Sequence, residues 1–280
     1  MPKNEPFAIP KSIINTGKFL QFFSSSLAKN FAIKVFSTPP EFKTPEREEM
    51  MRKSAKQELI DVPEIGKKIM TYTYGYSKKK VLLVHGWAGR GTQLFAIADK
   101  LLENGMMIVS FDAPAHGLSE GKTSSHFDYV AAIHTINKKY GPFYAAVGHS
   151  FGGITLLDAL SKKHFLDKLV IIGVVASTKE ILNDFVKKMQ LKPIVAKKME
   201  HYYIKKYNVN FNSISASQTA KKVHIPTLVL HDTEDKDSDV SNAFKVRQSL
   251  KNGKIAISKG LGHRRILREP KILDAIVDFF

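Results

Sequence analysis

The sequence predicts an α/β protein in which a mostly parallel central sheet is flanked by helices on both faces. From about residue 79, short apolar runs alternate with helical patterns, which is typical of such a sheet. Most of the runs are almost continuously apolar, as expected of strands that are buried on both faces. The chain has 280 residues, 43% of them hydrophobic, which is enough for one or two domains with a large core.

The predicted elements follow one another in a regular order. We expect an antiparallel edge strand at 70–76, and then strands at 81–84, 107–111, 143–147, 169–175, 227–230 and 254–258. Helical spacing of apolar residues predicts helices at 92–104, 127–140, 151–164, 240–251 and 270–280. Residues 67–280 are therefore predicted to form one domain. Residues 177–222 form an insertion between two of its strands, with helices at 179–188 and 194–207.

Residues 1–66 are predicted to form an N-terminal helical arm. Apolar residues at three- and four-residue spacing form a stripe on its first helix, which ends at Pro39 and Pro40: Leu20, Phe23, Leu27 and Phe31. Thr44 and Pro45 begin a second helix with three glutamates in its first turn. The stripe has two interpretations. It contacts a membrane surface or the substrate, or it packs on the domain that follows.

Composition excludes several classes of protein. The chain has no cysteine, so disulfide scaffolds, thiolate metal sites and a cysteine nucleophile are excluded. No apolar stretch approaches the roughly 20 residues that a spanning helix needs. The first residues lack the unbroken apolar core of a secretory signal, and we expect a cytoplasmic protein.

The net charge of +17 raises the question of a nucleic-acid partner. The excess is concentrated in residues 1–80, with 15 basic and 8 acidic residues, and in residues 177–222, with 10 and 3. No nucleic-acid-binding motif accompanies it, so no nucleic-acid partner is predicted. We expect a solvated basic surface that makes at most weak contact with a membrane surface. In the insertion, lysines would face outward and aromatic residues inward, which would also suit an anionic substrate.

The strongest local signal for chemistry is the segment GHSFG at 148–152. It lies where an apolar run ends and a helical pattern begins, which is the context of a nucleophile elbow. Flanking glycines let the backbone pass through a sharp turn that exposes the serine hydroxyl. Ser150 is therefore the candidate nucleophile.

A second loop, HGWAGRG at 85–91, follows the strand predicted at 81–84. The backbone N–H groups of Trp87 and Phe151 are the candidate donors of an oxyanion hole beside Ser150. A phosphate-binding loop is excluded because Thr92 stands where that motif needs lysine.

Two later loops complete the order serine, acid, histidine that is known for catalytic triads. The segment HDTEDKDSDV offers four aspartates, and GLGHRRIL follows the last strand with His263, the candidate general base. The aspartates also alternate as in a calcium loop. Val240 and Val246, however, replace the glycine and glutamate that such a loop needs, so no metal site is predicted.

Together, the segments HGWAGRGTQ, FDAPAHGLSEG, GHSFGG, HDTEDKDSDV and GLGHRRIL resemble the α/β-hydrolase superfamily, in particular its small serine hydrolases. The resemblance covers about residues 79–280. It implies the α/β-hydrolase fold, with Ser150 as nucleophile, His263 as general base and Asp235 as orienting acid, and Asp237 as the alternative acid. It also implies that the insertion at 177–222 is a helical cap.

The expected function is hydrolysis of an ester or thioester through an acyl-enzyme, a reaction that needs no cofactor. The partner is then a small-molecule ester or acyl substrate. Two alternatives remain open: acyl transfer by the same residues, and a non-catalytic binding protein on the same scaffold. Among the other polar residues of these motifs, His85, His116, His149 and Asp112 are interpreted as loop-positioning groups.

Overall fold

A computed structural model describes residues 8–280 of the chain. Residues 1–7 of the predicted arm lie outside the described residues. The strands are β1 (Lys56–Val62), β2 (Lys67–Tyr74), β3 (Lys80–Val84), β4 (Met107–Phe111), β5 (Ala145–His149), β6 (Lys168–Ile172), β7 (Thr227–Asp232) and β8 (Gly253–Ser258). The helices before β5 are α1 (Lys11–Phe23), α2 (Ser25–Ser37), α3 (Glu49–Ser54), α4 (Phe95–Glu103) and α5 (His126–Tyr140). The helices after it are α6 (Phe151–Lys162), α7 (Thr178–Lys188), α8 (Pro193–Tyr207), α9 (Ala216–Thr219), α10 (Ser241–Ser249), α11 (Gly262–Arg265) and α12 (Pro270–Phe279).

The eight strands form one sheet in the order β1-β2-β4-β3-β5-β6-β7-β8. β1 pairs antiparallel with β2, and β2 pairs antiparallel with β4, whereas every other neighbouring pair is parallel. The carboxyl ends of β3 and β5–β8 therefore meet at the same edge of the sheet, and ligands of open α/β sheets bind at such edges.

Alternate residues of the central strands enter two separate hydrophobic clusters. Leu82, Val84 and Ala146 pack with the apolar residues of α5 and α6, while Leu83 and Val147 pack with those of α4 and α12. Since successive side chains of a strand point to opposite faces, the sheet is covered on both sides, as the apolar runs predict. No helix among residues 8–280 has the length and apolarity needed to span a membrane.

The strand predictions need three corrections. The strand predicted at the edge, 70–76, is β2, and it is not an edge strand because β1 pairs outside it. β5 begins and ends two residues later than predicted, since Gly148 and His149 continue its pairing with β6. β6 ends at Ile172, because Gly173 turns the chain with a φ of 65°.

The predicted arm also differs from the observed one. β1 and the short turn after it, Pro63–Ile65, belong to residues 1–66, so this segment is not helical throughout and its C-terminal part joins the sheet. The helix predicted to end at Pro39 is divided into α1 and α2 at Ser24, which has extended backbone and accepts a hydrogen bond from the amide of Ser26 at 3.1 Å. A serine in this position stabilises the start of a new helix.

The arm packs on the insertion between β6 and β7, which contains α7, α8 and α9. Ala28 and Ala32 of α2 are fully buried in a third hydrophobic cluster with Leu182, Val195 and Met199 of the insertion. The sequence predicted that the aromatic residues of the insertion face the site, but Tyr203 and several others pack in this cluster instead. We call α1, α2, α7 and α8 the arm–cap unit.

Candidate active site

Ser150 occupies a sharp turn between β5 and α6. Its φ is 51° and its ψ is −118°, a strained conformation for a residue that is not glycine. The turn requires small neighbours, because a Cβ at Gly148 would lie 2.7 Å from the amide nitrogen of Gly153 and one at Gly152 would lie 2.3 Å from the carbonyl oxygen of Val84. The sequence therefore folds here into the predicted elbow, with Ser150 at the carboxyl edge of the sheet.

His263 and Asp235 form a hydrogen-bonded pair at the same edge. His263 lies on α11, just after β8, and its Nδ1 is 2.7 Å from Oδ2 of Asp235 in the loop after β7. Oδ1 of Asp235 accepts hydrogen bonds from the amides of Asp237 and Ser238, both at 2.9 Å. A carboxylate can only accept here, so Nδ1 of His263 is the donor and the lone pair of a neutral ring is on Nε2.

Backbone contacts bring Ser150 and His263 close to each other. The amide of Ser150 donates to the carbonyl oxygen of Ile172 at 2.8 Å, and the next residue, Gly173, is so near His263 that a Cβ there would lie 3.1 Å from the imidazole ring. The neighbouring His149 has its ring centroid 4.6 Å from that of His263. Within residues 8–280, no hydrogen bond joins the two side chains of Ser150 and His263 themselves.

The Gly86–Trp87 peptide is held in one orientation beside Ser150. The carbonyl oxygen of Gly86 is contacted by Nδ1 of His85 at 2.7 Å, the amide of Gly89 at 3.0 Å and the hydroxyl of Tyr129 at 3.3 Å. In a planar trans peptide the N–H points away from the carbonyl, so these contacts fix the direction of the Trp87 N–H. A Cβ at Gly86 would lie 3.0 Å from Cβ of Ser150, which places this peptide against the elbow.

Neither candidate oxyanion donor has a partner in the described part of the chain. The amides of Trp87 and Phe151 make no hydrogen bond there, whereas Ala88 donates to Nε2 of His116 at 3.3 Å. Phe151 is the first residue of α6, where a helix leaves its backbone N–H groups unsatisfied. Two free N–H donors close to a serine can stabilise a developing oxyanion.

Two buried histidines support this loop as neutral groups. Nε2 of His85 accepts from the amide of Ala113 at 3.0 Å, so Nδ1 carries the proton that is donated to Gly86. Burial, reinforced by the charge that His116 would carry, holds the pKa of His85 well below its usual range. Burial also lowers the pKa of His116 to about 4. Both rings therefore keep fixed donor and acceptor roles at neutral pH, as the loop-positioning interpretation requires.

Glu48 connects the N-terminal segment to the loop of Trp87, which the sequence analysis missed. Its carboxylate accepts two hydrogen bonds from Arg90, at 2.6 and 2.7 Å, and one from the hydroxyl of Thr92 at 2.8 Å. The Glu48 side chain is only 2% exposed and that of Arg90 is 13% exposed. One glutamate among several in a charged segment gives no sequence signal of such a role, because only the tertiary structure brings it to Arg90.

Asp112 fastens the same loop from β4. Its carboxylate accepts from the amide of Gly91 at 2.6 Å, the hydroxyl of Tyr72 at 2.9 Å and the amide of Leu118 at 2.8 Å. Burial raises its pKa, which the three hydrogen bonds oppose. Asp112 thus accepts hydrogen bonds that hold the loop in place, and its role differs from that of the His263–Asp235 pair.

Asp232, the first of the four aspartates of HDTEDKDSDV, is a second residue whose role the sequence analysis missed. Its carboxylate accepts from the hydroxyl of Ser258 at 2.7 Å and from the amides of Gly262 at 2.8 Å and Leu261 at 3.1 Å. Burial would raise its pKa, but these hydrogen bonds outweigh burial and lower it. The ionised carboxylate therefore holds the turn that carries His263.

The alternative acid, Asp237, lies near the pair without joining it. A carboxylate oxygen of Asp237 is within 4.8 Å of ligand atoms of Asp235 and His263, which is a spacing that could hold a metal ion. The His263 hydrogen bond, however, is to Asp235. The geometry thus favours Asp235 over Asp237 as the partner of His263.

An aromatic contact series connects this site to the arm–cap unit. Phe127, at the start of α5, stacks on Tyr207 of α8 with ring centroids 4.0 Å apart. The ring centroid of the adjacent His126 is 6.1 Å from that of Phe151, and Nε2 of His126 is 2.7 Å from Oδ2 of Asp158. The end of α8 therefore lies close to the Phe151 side of the site.

Comparisons with known proteins agree with this architecture. A model of the Alpha/beta hydrolase family matches residues 81–202. A serine hydrolase-like protein of Dictyostelium discoideum is 26% identical over 150 residues, which are 50% of this chain and 42% of that protein. The chain thus matches less than half the length of that curated relative.

Solved structures share the fold at low sequence identity. The Pyrococcus furiosus esterase Pf2001 superposes with a TM-score of 0.65 at 16% identity, covering 86% of this chain and 95% of the esterase. A bromoperoxidase from Bacillus anthracis gives a TM-score of 0.62 at 17% identity, covering 80% and 99%. Neighbours named for different activities show the fold and leave the reaction to be argued from the site. The sheet order, the turn at Ser150 and these similarities show that the chain has the α/β-hydrolase fold, and its residues 81–202 match the Alpha/beta hydrolase family.

Proposed function

We propose that this protein is a serine hydrolase that cleaves an ester or thioester bond through an acyl-enzyme intermediate. The observation that carries the proposal is the His263–Asp235 hydrogen bond at 2.7 Å beside a serine held at a φ of 51° in a nucleophile elbow. The strained turn exposes a hydroxyl, and the pair supplies a base whose free nitrogen is Nε2. The serine hydrolase-like relative and the esterase of similar fold agree with this reaction class.

In the first half-reaction, Oγ of Ser150 attacks the carbonyl carbon of the substrate while Nε2 of His263 takes the hydroxyl proton. Asp235 accepts from Nδ1 and stabilises the imidazolium that forms. The N–H groups of Trp87 and Phe151 bind the oxyanion of the tetrahedral intermediate. His263 then gives its proton to the leaving alcohol or thiol, and the acyl group remains on Ser150.

In the second half-reaction, a water molecule attacks the acyl-enzyme. His263 takes a proton from the water, the oxyanion forms again in the same place, and its collapse releases the carboxylic acid and restores the Ser150 hydroxyl. Each bond that forms is matched by one that breaks, and the residues present are sufficient for every proton transfer. The local groups that hold Trp87 and His263 are Glu48, Asp112 and Asp232, which do not touch the reacting atoms.

The proposal is tested with a fluorophosphonate that reacts with activated serines. We expect stoichiometric labelling of the wild-type protein, with the adduct on the peptide that contains Ser150, and no labelling of Ser150→Ala. His263→Ala should also remain unlabelled, because the base is missing. An adduct on another residue, or turnover of p-nitrophenyl esters by Ser150→Ala at the wild-type rate, would exclude the proposed nucleophile. Labelling at Ser150 with product partitioning to an added alcohol would identify an acyltransferase instead.

A further inference from the structure

One face of the arm exposes a compact group of large apolar side chains. Phe19, Phe22 and Phe23 of α1 are 64%, 85% and 64% exposed, and Leu27 at the start of α2 is 48% exposed. The Phe23 ring contacts those of Phe19 and Phe22 with centroids 5.0 and 5.4 Å apart. We call these four residues the aromatic patch. Scattered exposed apolar residues are ordinary, but a contiguous group of rings marks an interaction surface.

The opposite face of the arm already has its partner. Gly17 of α1 is buried against the insertion, where a Cβ would lie 3.1 Å from Cε of Met189. Ala28 and Ala32 of α2 are fully buried in the cluster shared with α7 and α8. The aromatic patch is therefore a second apolar face on helices whose first face is covered. Packing of the arm on the protein does not account for it.

Basic residues lie on the arm and where the insertion meets it. Residues 8–40 contain four lysines and no acidic residue. Nζ of Lys18 is 3.4 Å from Oε1 of Gln190, and Nζ of Lys198 contacts the hydroxyl of Ser25 at 2.7 Å. Lys192 lies beside α1, since its amide donates to Oε1 of Gln21 at 2.6 Å. Lys18 thus lies on α1, and Lys192 and Lys198 of the insertion lie beside α1 and the beginning of α2.

We propose that the aromatic patch and these three lysines bind the surface of an anionic lipid bilayer. The rings would enter the headgroup region, and the ammonium groups would pair with lipid phosphates, which is how amphipathic helices lie in a membrane interface. A second copy of this chain fits the surface less well, because it would bring lysines against lysines. The binding does not depend on the proposed hydrolase reaction.

Docking in this way would set the orientation of the whole protein. The aromatic patch lies on the arm–cap unit, and Tyr207 of that unit stacks on Phe127 near Phe151. A bilayer bound at the aromatic patch would thus contact the molecule through the arm–cap unit.

The test is co-sedimentation of the full chain with phosphatidylcholine vesicles, with and without phosphatidylglycerol, at low ionic strength. We expect binding to the anionic vesicles that weakens with added salt, and little binding to the neutral ones. The triple variant F19Q/F22Q/F23Q should lower the apparent affinity at least about tenfold, because it removes the inserted rings. The variant K18Q/K192Q/K198Q should also lose at least tenfold, since each lysine near an anionic surface contributes roughly fivefold.

Two control variants make the same kinds of substitution at positions outside the aromatic patch. Y76Q/F244Q removes two exposed aromatic side chains from other elements, and K251Q/K254Q/K259Q removes three charges around β8. Both should bind like the wild type, and thermal unfolding should show that all variants are folded. If the triple variant fails to fold, the single variant F22Q replaces it in the test, because Phe22 has the most exposed ring of the patch.

Three results would overturn the proposal. The first is absence of binding to anionic vesicles at low ionic strength. The second is equal loss of affinity in the patch variants and their controls. The third is a wild-type dimer that F19Q/F22Q/F23Q converts to a monomer without vesicle binding, which would make the surface an interface between two copies.

Discussion

The sheet and the arm–cap unit place their large aromatic side chains in opposite environments. Beside the sheet, Phe111 and Tyr129 are fully buried, and the Tyr129 hydroxyl contacts the carbonyl that orients the Trp87 peptide. On the arm, the Phe22 ring is 85% exposed and touches only Phe23 among the rings of the described chain. Under our two proposals, the aromatic residues beside the sheet hold the Trp87 peptide, and those of the aromatic patch bind a bilayer.

This difference makes the two regions separable by experiment. Variants at the carboxyl edge of the sheet should change catalysis or stability without changing vesicle binding, and variants of the aromatic patch should do the reverse.

Ser150→Ala should reduce kcat for p-nitrophenyl esters by about 10⁴-fold or more, because no nucleophile remains. The melting temperature and the vesicle affinity should stay at wild-type values, since Ser150 is not part of the aromatic patch. The measurement is steady-state kinetics beside vesicle co-sedimentation of the same sample. Loss of vesicle binding in this variant would contradict the prediction that catalysis and vesicle binding depend on different regions.

Asp235→Asn should reduce kcat by about 10³-fold or more, because an amide cannot stabilise the imidazolium of His263. Asp237→Asn is the matched control and should change kcat only slightly, since His263 does not hydrogen-bond to Asp237. Steady-state kinetics of the two variants decide between them. The reverse order would make Asp237 the orienting acid.

Glu48→Gln should lower the free energy of unfolding by about 3 kcal/mol, because it leaves the Arg90 charge largely buried without its partner. Asp274→Asn is the control for an exposed ion pair with Lys100 and should cost much less. Urea denaturation measures both. Similar costs for the two variants would show that Glu48 does not hold the loop of Trp87.

The free energy of unfolding should fall as pH decreases from 7 to 5. The pKa of buried His116 is lowered to about 4, so between that value and the ordinary value of about 6.5 only the unfolded chain binds the proton. His116 alone should then cost about 2 kcal/mol at pH 5. Buried His85, whose pKa is also depressed, acts in the same direction.

Urea denaturation at the two pH values measures this dependence, and His116→Gln should make it smaller by the same amount. A free energy of unfolding that does not change over this range would mean that the two rings take up protons equally in the folded and unfolded states.

Continuous apolar runs predicted the parallel strands well, because strands buried on both faces need apolar residues at every position. The same rule explains why β1 escaped prediction. Its sequence, KQELIDV, is largely exposed and charged, since it lies at the edge of the sheet and pairs with β2 on one side only. The elbow was predictable because its glycines must lie two residues from Ser150 whatever the rest of the chain does.

Residues that act through tertiary contacts could not be predicted in the same way. Glu48 is distant in sequence from Arg90, and nothing in its neighbours indicates a buried ion pair. The aromatic patch was only partly visible: the predicted stripe contains Phe23 and Leu27, which are exposed, but Phe19 and Phe22 were not part of it. The break at Ser24 rotates α2 relative to α1, so a single helical pattern could not assign the exposed face.

The central claim, that Ser150 carries the acyl group during turnover, is tested most directly by trapping the intermediate. The wild-type protein is mixed with a p-nitrophenyl ester in excess, quenched with acid during the first turnovers and digested for mass spectrometry. Our account predicts one added acyl mass on the peptide that contains Ser150, which Ser150→Ala lacks. Turnover with no acyl adduct, or with the adduct on another residue, would contradict it.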